Sequence, residues 1–203
     1  MRHTLAGLYR KADRERDAIR HYRATIKLNP DDNKAHQALA YLYTRSGKLQ
    51  IAIKHFKETI RINPKDLEAQ RGLALIYDRQ GNRPEAIRIY EKIVQLDPED
   101  LKTHEQLAST YEKNNQREDA LRHYQKIIKL TPSNSSLHRK LGNLYEKSGI
   151  ISKALSHYKV LARLEPGDVN THRALGALYE KMGDVRKSLR HYTYVTRLTP
   201  NDI

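Results

Sequence analysis

Nine of the ten histidines stand in two registers of the chain. His36, His104, His138 and His172 are 34 or 68 residues apart, and so are His21, His55, His123, His157 and His191. Imidazole binds metal ions and exchanges protons near neutral pH. A metal site needs three or four converging ligands with supporting carboxylates, and two imidazoles per period are too few, so no metal is expected. Cysteine is absent, which excludes disulfides and thiolate chemistry. The sequence has no nucleophile constellation, no glycine-rich phosphate loop and no paired buried carboxylates. The acids of the pairs Asp78-Arg79, Glu112-Lys113, Glu146-Lys147 and Glu180-Lys181 read as solvated charge near a helix end. The chain therefore reads as a non-enzyme without a cofactor.

The register comes from a strict period. Pro30, Pro64, Pro98, Pro132, Pro166 and Pro200 are each 34 residues apart, which signifies stacked repeats. With each phased proline set at position 32, the repeats run 1–32, 33–66, 67–100, 101–134, 135–168 and 169–202. Position 7 is Leu5, Leu39, Leu73, Leu107, Leu141 and Leu175. Position 8 is small throughout (Ala6, Ala40, Ala74, Ala108, Gly142, Gly176), and position 11 is always Tyr. With position 4 they form one helical face. A second face follows at positions 20, 21, 24, 27 and 28, with Ala or Ser at 20 and Tyr or Phe at 24. Between the faces, position 15 is Gly, Asn or Asp, residues that tolerate the positive φ of a turn. Position 34 is Asp or Asn, a helix N-cap. Pro84 is out of phase and falls just after the turn, in a first helical turn where its missing N–H costs nothing.

Helix A, tight turn, helix B and capped loop, with Leu, small, Tyr, Ala, aromatic and Pro at these positions, resembles the tetratricopeptide repeat family over essentially the whole chain. The resemblance implies an all-α, right-handed superhelical solenoid of antiparallel helix pairs, here a single array over residues 1–203. An apolar content of 38% suits such a thin array. The departure is position 4, usually Trp in the family. Here it is Arg2, His36, Gln70, His104, His138 and His172, and the chain has no Trp. The imidazoles read as half-buried fillers in its place. Position 4 should lie level with position 24, placing His36/His55, His104/His123, His138/His157 and His172/His191 side by side. Buried neutral His must charge on acidification, so stability is expected to drop below about pH 6.

In the family, A helices line a concave groove through positions 2, 5, 6, 9, 12 and 13. Here those positions vary freely, as expected for a surface meeting an irregular peptide. Tyr41, Arg71, Arg139, Lys140, Asn143 and Arg173 are the candidate ligand-binding residues. An exposed aromatic beside Arg is a common interface anchor, and Arg and Asn grip carboxylates and peptide backbone. The bland alternative is that Arg71 and Arg173 pair with neighbouring Glu. Some family members clamp the acidic C-terminus of chaperones with Lys and Asn at fixed positions. This chain offers Arg71, Leu75, Gln106, Ser136 and Lys140 there, or Arg139, Asn143 and then Ala174, so the clamp is incomplete.

The net charge is +14. Arg20, Lys54, Arg88, Arg122 and Arg190 at position 22, with Lys27, Arg61, Lys129, Arg163 and Arg197 at position 29, form a basic stripe on the outer side of helix B. The stripe suits nucleic acid or another anionic surface, and charge alone supports only salt-sensitive, sequence-independent binding. The first expectation is thus a scaffold for a peptide or protein; the alternatives are a basic adaptor or an engineered repeat array without a natural ligand. Residues 1–20 are too charged for a signal peptide and no apolar run has transmembrane length, so a cytoplasmic protein, or a piece of a larger soluble one, is expected. With Leu175, Leu189 and Leu198 in a last repeat that nothing covers, weak end-to-end self-association is also expected.

Overall fold

In the computed structural model, residues 2–199 are described, with all their side chains except those of Arg2, His3, Arg10 and Lys11. Pro200 and the cap position Asp202 lie outside them. The described residues form helices and no strands. The chain divides into two compact units, Met1–Asn115 and Gln116–Ile203.

The first unit holds α1 (Arg2–Lys11), α2 (Glu15–Leu28), α3 (Asn33–Arg45), α4 (Leu49–Ile62), α5 (Leu67–Arg79), α6 (Arg83–Leu96) and α7 (Leu101–Lys113). The second holds α8 (Arg117–Leu130), α9 (Ser135–Lys147), α10 (Ile151–Leu164), α11 (Val169–Lys181) and α12 (Val185–Leu198). Within the first, α1/α2, α3/α4 and α5/α6 form hairpins, and α2, α4 and α6 each pack on the next A helix. Within the second, α9/α10 and α11/α12 do so, with α8 on α9 and α10 on α11.

Local chemistry sets the boundaries. Each A helix is ended by a left-handed residue at position 15: Asp13, Gly47, Gly81, Asn115, Gly149 and Gly183 all have positive φ, from 58° to 78°. Around Gly47 the amide of Lys48 donates to Tyr43 O at 2.8 Å and that of Gly47 to Thr44 O at 3.2 Å. Those two bonds satisfy carbonyls that a helix end would otherwise orphan. Asp32, Asp66, Asp100, Asn134 and Asp168 each accept from the amide three residues on, so the expected caps are in place. Pro84 sits in the first turn of α6.

The core is the two predicted faces closed on each other. Leu39, Leu107 and Leu141 are wholly buried, and so are Ala18, Ala52, Ala86, Ala120 and Ala154. Gly142 and Gly176 are small because an aromatic ring occupies the space: a Cβ would come within 2.8 Å of the Tyr158 ring and 2.7 Å of the Tyr192 ring. In the last repeat Leu175 is buried, whereas Leu189 is 64% exposed.

Candidate functional site

Position 5 is a candidate ligand position, and in three repeats it bonds the residue that caps the next A helix. Gln37 Nε2 donates to Asp66 at 3.3 Å. Arg71 is buried; it donates through Nε to Thr103 Oγ1 at 2.9 Å, through Nη1 to Glu68 at 2.6 Å and through Nη2 to Asp100 at 2.5 Å. Arg139 bonds Asp168 and Glu165 in the same way. Burial opposes the Arg71 charge, but its bonds to Asp100 and Glu68 outweigh that and hold its pKa above the usual value. Burial likewise opposes ionisation of Asp100, and the Thr103 hydroxyl, the Thr103 amide and Arg71 hold its carboxyl below the usual range. Arg71 and Arg139 are thus inter-repeat staples. Arg173 is exposed on α11, and the residue in register with those caps, Asp202, lies outside the described residues.

The position 12 acids are not simply solvated. Asp78 is 7% exposed and receives Lys113 of the next repeat; Glu146 receives Lys181 at 3.7 Å. Glu146 and Glu180 also accept from the hydroxyls of Tyr158 (3.1 Å) and Tyr192 (3.2 Å) on their own B helices. In repeat 3 the acid is one methylene shorter, and Leu75 stands where Asn143 stands in repeat 5. There the Tyr90 hydroxyl and Asp78 Oδ1 stay buried without a partner.

The histidine registers meet as expected in three hairpins. Nδ1 of His36 lies 3.1 Å from Nδ1 of His55, and the His138/His157 and His172/His191 pairs are at 3.0 Å. The expected filler role is incomplete, because Nε2 of each first ring reaches the carbonyl of the phased proline six residues back, at 2.9–3.0 Å. A carbonyl only accepts, so Nε2 carries the proton. Nδ1 of His36 is then the acceptor and Nδ1–H of His55 the donor. Gln70 performs the same task on Pro64 O at 2.7 Å, so the register selects an N–H donor of the right reach. The outer rings of His55, His157 and His191 stack on Tyr43, Tyr145 and Tyr179. Among the described residues no three potential ligands converge on a metal position.

Burial first, then the neighbouring His36 and the Arg23 charge, push the His55 pKa down to about 4, against a smaller opposing effect of Glu58. His157 is also at about 4, from burial and then His138. The unfolded chain binds these protons near pH 6.5. The stability the neutral rings contribute is complete above that value and is lost as pH falls from it towards 4. The melting temperature should therefore fall between pH 7 and 4.5, and fall less in an H55Q/H157Q variant. A fall of the same size in that variant would assign it to carboxylates instead.

On the exposed face of the A helices the remaining candidates separate by unit. In the first, Tyr41 is 36% exposed, meets the Phe56 ring edge-on at 5.2 Å and donates to Glu68 O at 3.3 Å. Burial and then Glu68 raise its pKa. In the second, Lys140 lies over the Tyr124 ring at 4.7 Å and donates to its hydroxyl at 2.7 Å. Asn143 is exposed, with Oδ1 2.6 Å from the buried Tyr158 hydroxyl. That contact fixes the amide with its N–H donors outward. Sequence reasoning missed the Tyr124 and Tyr158 hydroxyls as supports, although position 24 is Phe in only one repeat.

All ten residues of the basic stripe are exposed. Arg61, Arg88 and Arg122 are held by Glu58, Glu85 and Asp119 of their own helices. No described helix is long and apolar enough to cross a membrane.

Comparison with known proteins bears on the fold. Models described as tetratricopeptide repeat match residues 3–66, 37–100 and 79–144. A search of curated proteins finds no match. Among solved structures, YrrB, a TPR protein with an unusual peptide-binding site, is 19% identical, with 89% of this chain and 93% of that one aligned at a TM-score of 0.70. MamA from Desulfovibrio magneticus is 19% identical, covering 84% and 96%, at 0.65. PilF of Pseudomonas aeruginosa is 17% identical, covering 99% and 91%, at 0.67. With the 34-residue period, the positive-φ turns and the capped hairpins, these matches lead to one conclusion: the chain belongs to the tetratricopeptide repeat family.

Proposed function

We propose that this chain is a non-catalytic scaffold that binds a peptide or a partner protein on the exposed face of its A helices. One observation carries the reading. In the second unit Asn143 and Lys140 are polar groups on that face held in place from beneath by the hydroxyls of Tyr158 and Tyr124. A donor already fixed in its bound orientation loses little entropy when a ligand arrives. Asn143 offers N–H groups to a peptide carbonyl and Lys140 a charge to a carboxylate. The peptide-binding site of YrrB, which shares the fold, supports the same use. In the first unit Tyr41 is the aromatic anchor of such a face. Arg71 and Arg139 contribute by setting the spacing of the A helices.

The test begins with a peptide selected by the intact chain from a random display library, titrated by fluorescence anisotropy. If the reading is right, Asn143→Ala or Tyr41→Ala weakens the peptide about tenfold, the loss of about 1.4 kcal/mol expected for an interface anchor. Selected peptides that ignore both substitutions would refute it.

A further inference from the structure

The first-turn acids of α2 already have partners outside its basic row: Asp17 holds Arg14 at 2.7 Å and Glu15 holds Arg45 at 3.1 Å. Arg16, Arg20, Arg23 and Lys27 are exposed, and none makes an ion pair or hydrogen bond with another described residue. Their spacings of 4, 3 and 4 residues set them in one row along the helix. At 1.5 Å of rise per residue the row is about 16 Å long. Together with Ile19 and Ala24 they line an open cleft of about 470 Å³.

A similar row recurs on α12. Arg186, Arg190 and Arg197 stand at the repeat positions of Arg16, Arg20 and Lys27, exposed and equally unpaired among the described residues. They line a cleft of about 690 Å³ with Tyr194, whose exposed ring lies 4.4 Å from that of His172. The surplus charge is felt locally: burial, then His172, Arg190 and Lys159, hold His191 below its ordinary pKa. On α4, α6 and α8 the corresponding arginines differ. Arg61, Arg88 and Arg122 are each neutralised by an acid three residues earlier.

Six of the seven cations in these two rows are arginines, whose planar forks match phosphate oxygens in pairs. A row of them at one-turn intervals suits an extended strand with evenly spaced negative charges. A membrane-surface helix needs a face of large apolar side chains free to enter lipid. On α2 that face, Ala18 and Tyr22, is buried in the core, whereas α12 exposes Val185 and Leu189, so on α12 the vesicle arm of the test separates lipid from nucleic acid. On α12 the Tyr194 ring stands among the arginines, as in clefts that stack bases.

We propose that the α2 row and the α12 row each bind the phosphate backbone of single-stranded nucleic acid without reading its sequence, with Tyr194 stacking on a base at the second.

The test uses the full chain and a fluorescein-labelled 15-nucleotide oligo(dT), followed by anisotropy over a salt series. Saturable binding is expected, with log K falling linearly against log salt. R20E/R23E and R190E/R197E should each weaken it at least tenfold and flatten the salt slope. R88A/R122A, which removes neutralised arginines, should change it less than twofold, and so should Asn143→Ala, which reports on the peptide-binding face. Glutamine versions, R20Q/R23Q and R190Q/R197Q, repeat the measurement without introducing repulsion, and circular dichroism confirms that each variant is folded. Equal losses from R88A/R122A would overturn the proposal in favour of net charge. Binding to phosphatidylserine vesicles or poly-glutamate at protein concentrations that leave the oligonucleotide free would overturn it in favour of another anion.

Discussion

Phe56→Ala should lower the unfolding free energy by about 3–5 kcal/mol, the range for a large buried ring truncated without collapse of its site. Phe56 is fully buried and serves two repeats at once. Tyr41 meets its edge from its own hairpin. From the next repeat Gly72 leaves room for it: a Cβ at residue 72 would fall 2.5 Å from the ring. Truncation therefore opens a cavity with walls in both repeats, and Tyr41 loses its aromatic partner. Urea denaturation followed by far-ultraviolet circular dichroism measures the loss. Hydrogen exchange should locate it in α3 to α6, because each repeat of such a stack contacts only its neighbours. A loss under 1 kcal/mol would mean that the two repeats close over the gap.

Arg71→Ala should cost about 3–5 kcal/mol, the range for removing one partner of a buried ion pair. The side chains of Arg71 and Asp100 are only 11% and 10% exposed, so little water reaches the abandoned carboxylate. Arg139 is the internal control. It makes the same bond to Asp168 with a side chain 37% exposed, and its replacement by Ala should cost markedly less, about 1 kcal/mol. A double-mutant cycle of Arg71→Ala with Asp100→Asn isolates the pair: in the double variant the second change should recover part of the first loss. Equal costs at Arg71 and Arg139 would show that depth of burial does not govern these bonds.

The two arginines also mark where the sequence stopped being legible. Leu at position 7, Gly, Asn or Asp at position 15 and the position 34 cap act within a few residues of themselves, through helical period, positive φ and a side-chain oxygen. Each was readable from spacing. The partner of Arg71 is 29 residues away and that of Asp78 is 35 away, reached only once repeats stack. Taken one period at a time, Arg139 reads as a groove ligand, Arg71 as a groove ligand or the partner of a neighbouring Glu, and Asp78 as solvated charge; the Glu68 bond of Arg71 is that alternative, while its bond to Asp100 has no local signal. The histidine registers fall between these cases. Their level pairing followed from hairpin geometry, but the proline carbonyl did not. The signal was present in Gln70, which shares with histidine little beyond an N–H at the end of a short planar arm.

Asp100 has two tasks. It accepts from the Thr103 amide, which starts α7, and from Arg71, which belongs to the repeat before. Asp168 does the same for α11 and Arg139. A helix that frays at such a start releases its neighbour's guanidinium, and a neighbour that shifts weakens the start. Nucleation of one repeat and docking onto the last are therefore a single event at these joints. Melting there should be cooperative across the seam, not sequential, and a weak repeat borrows its order from the one before it.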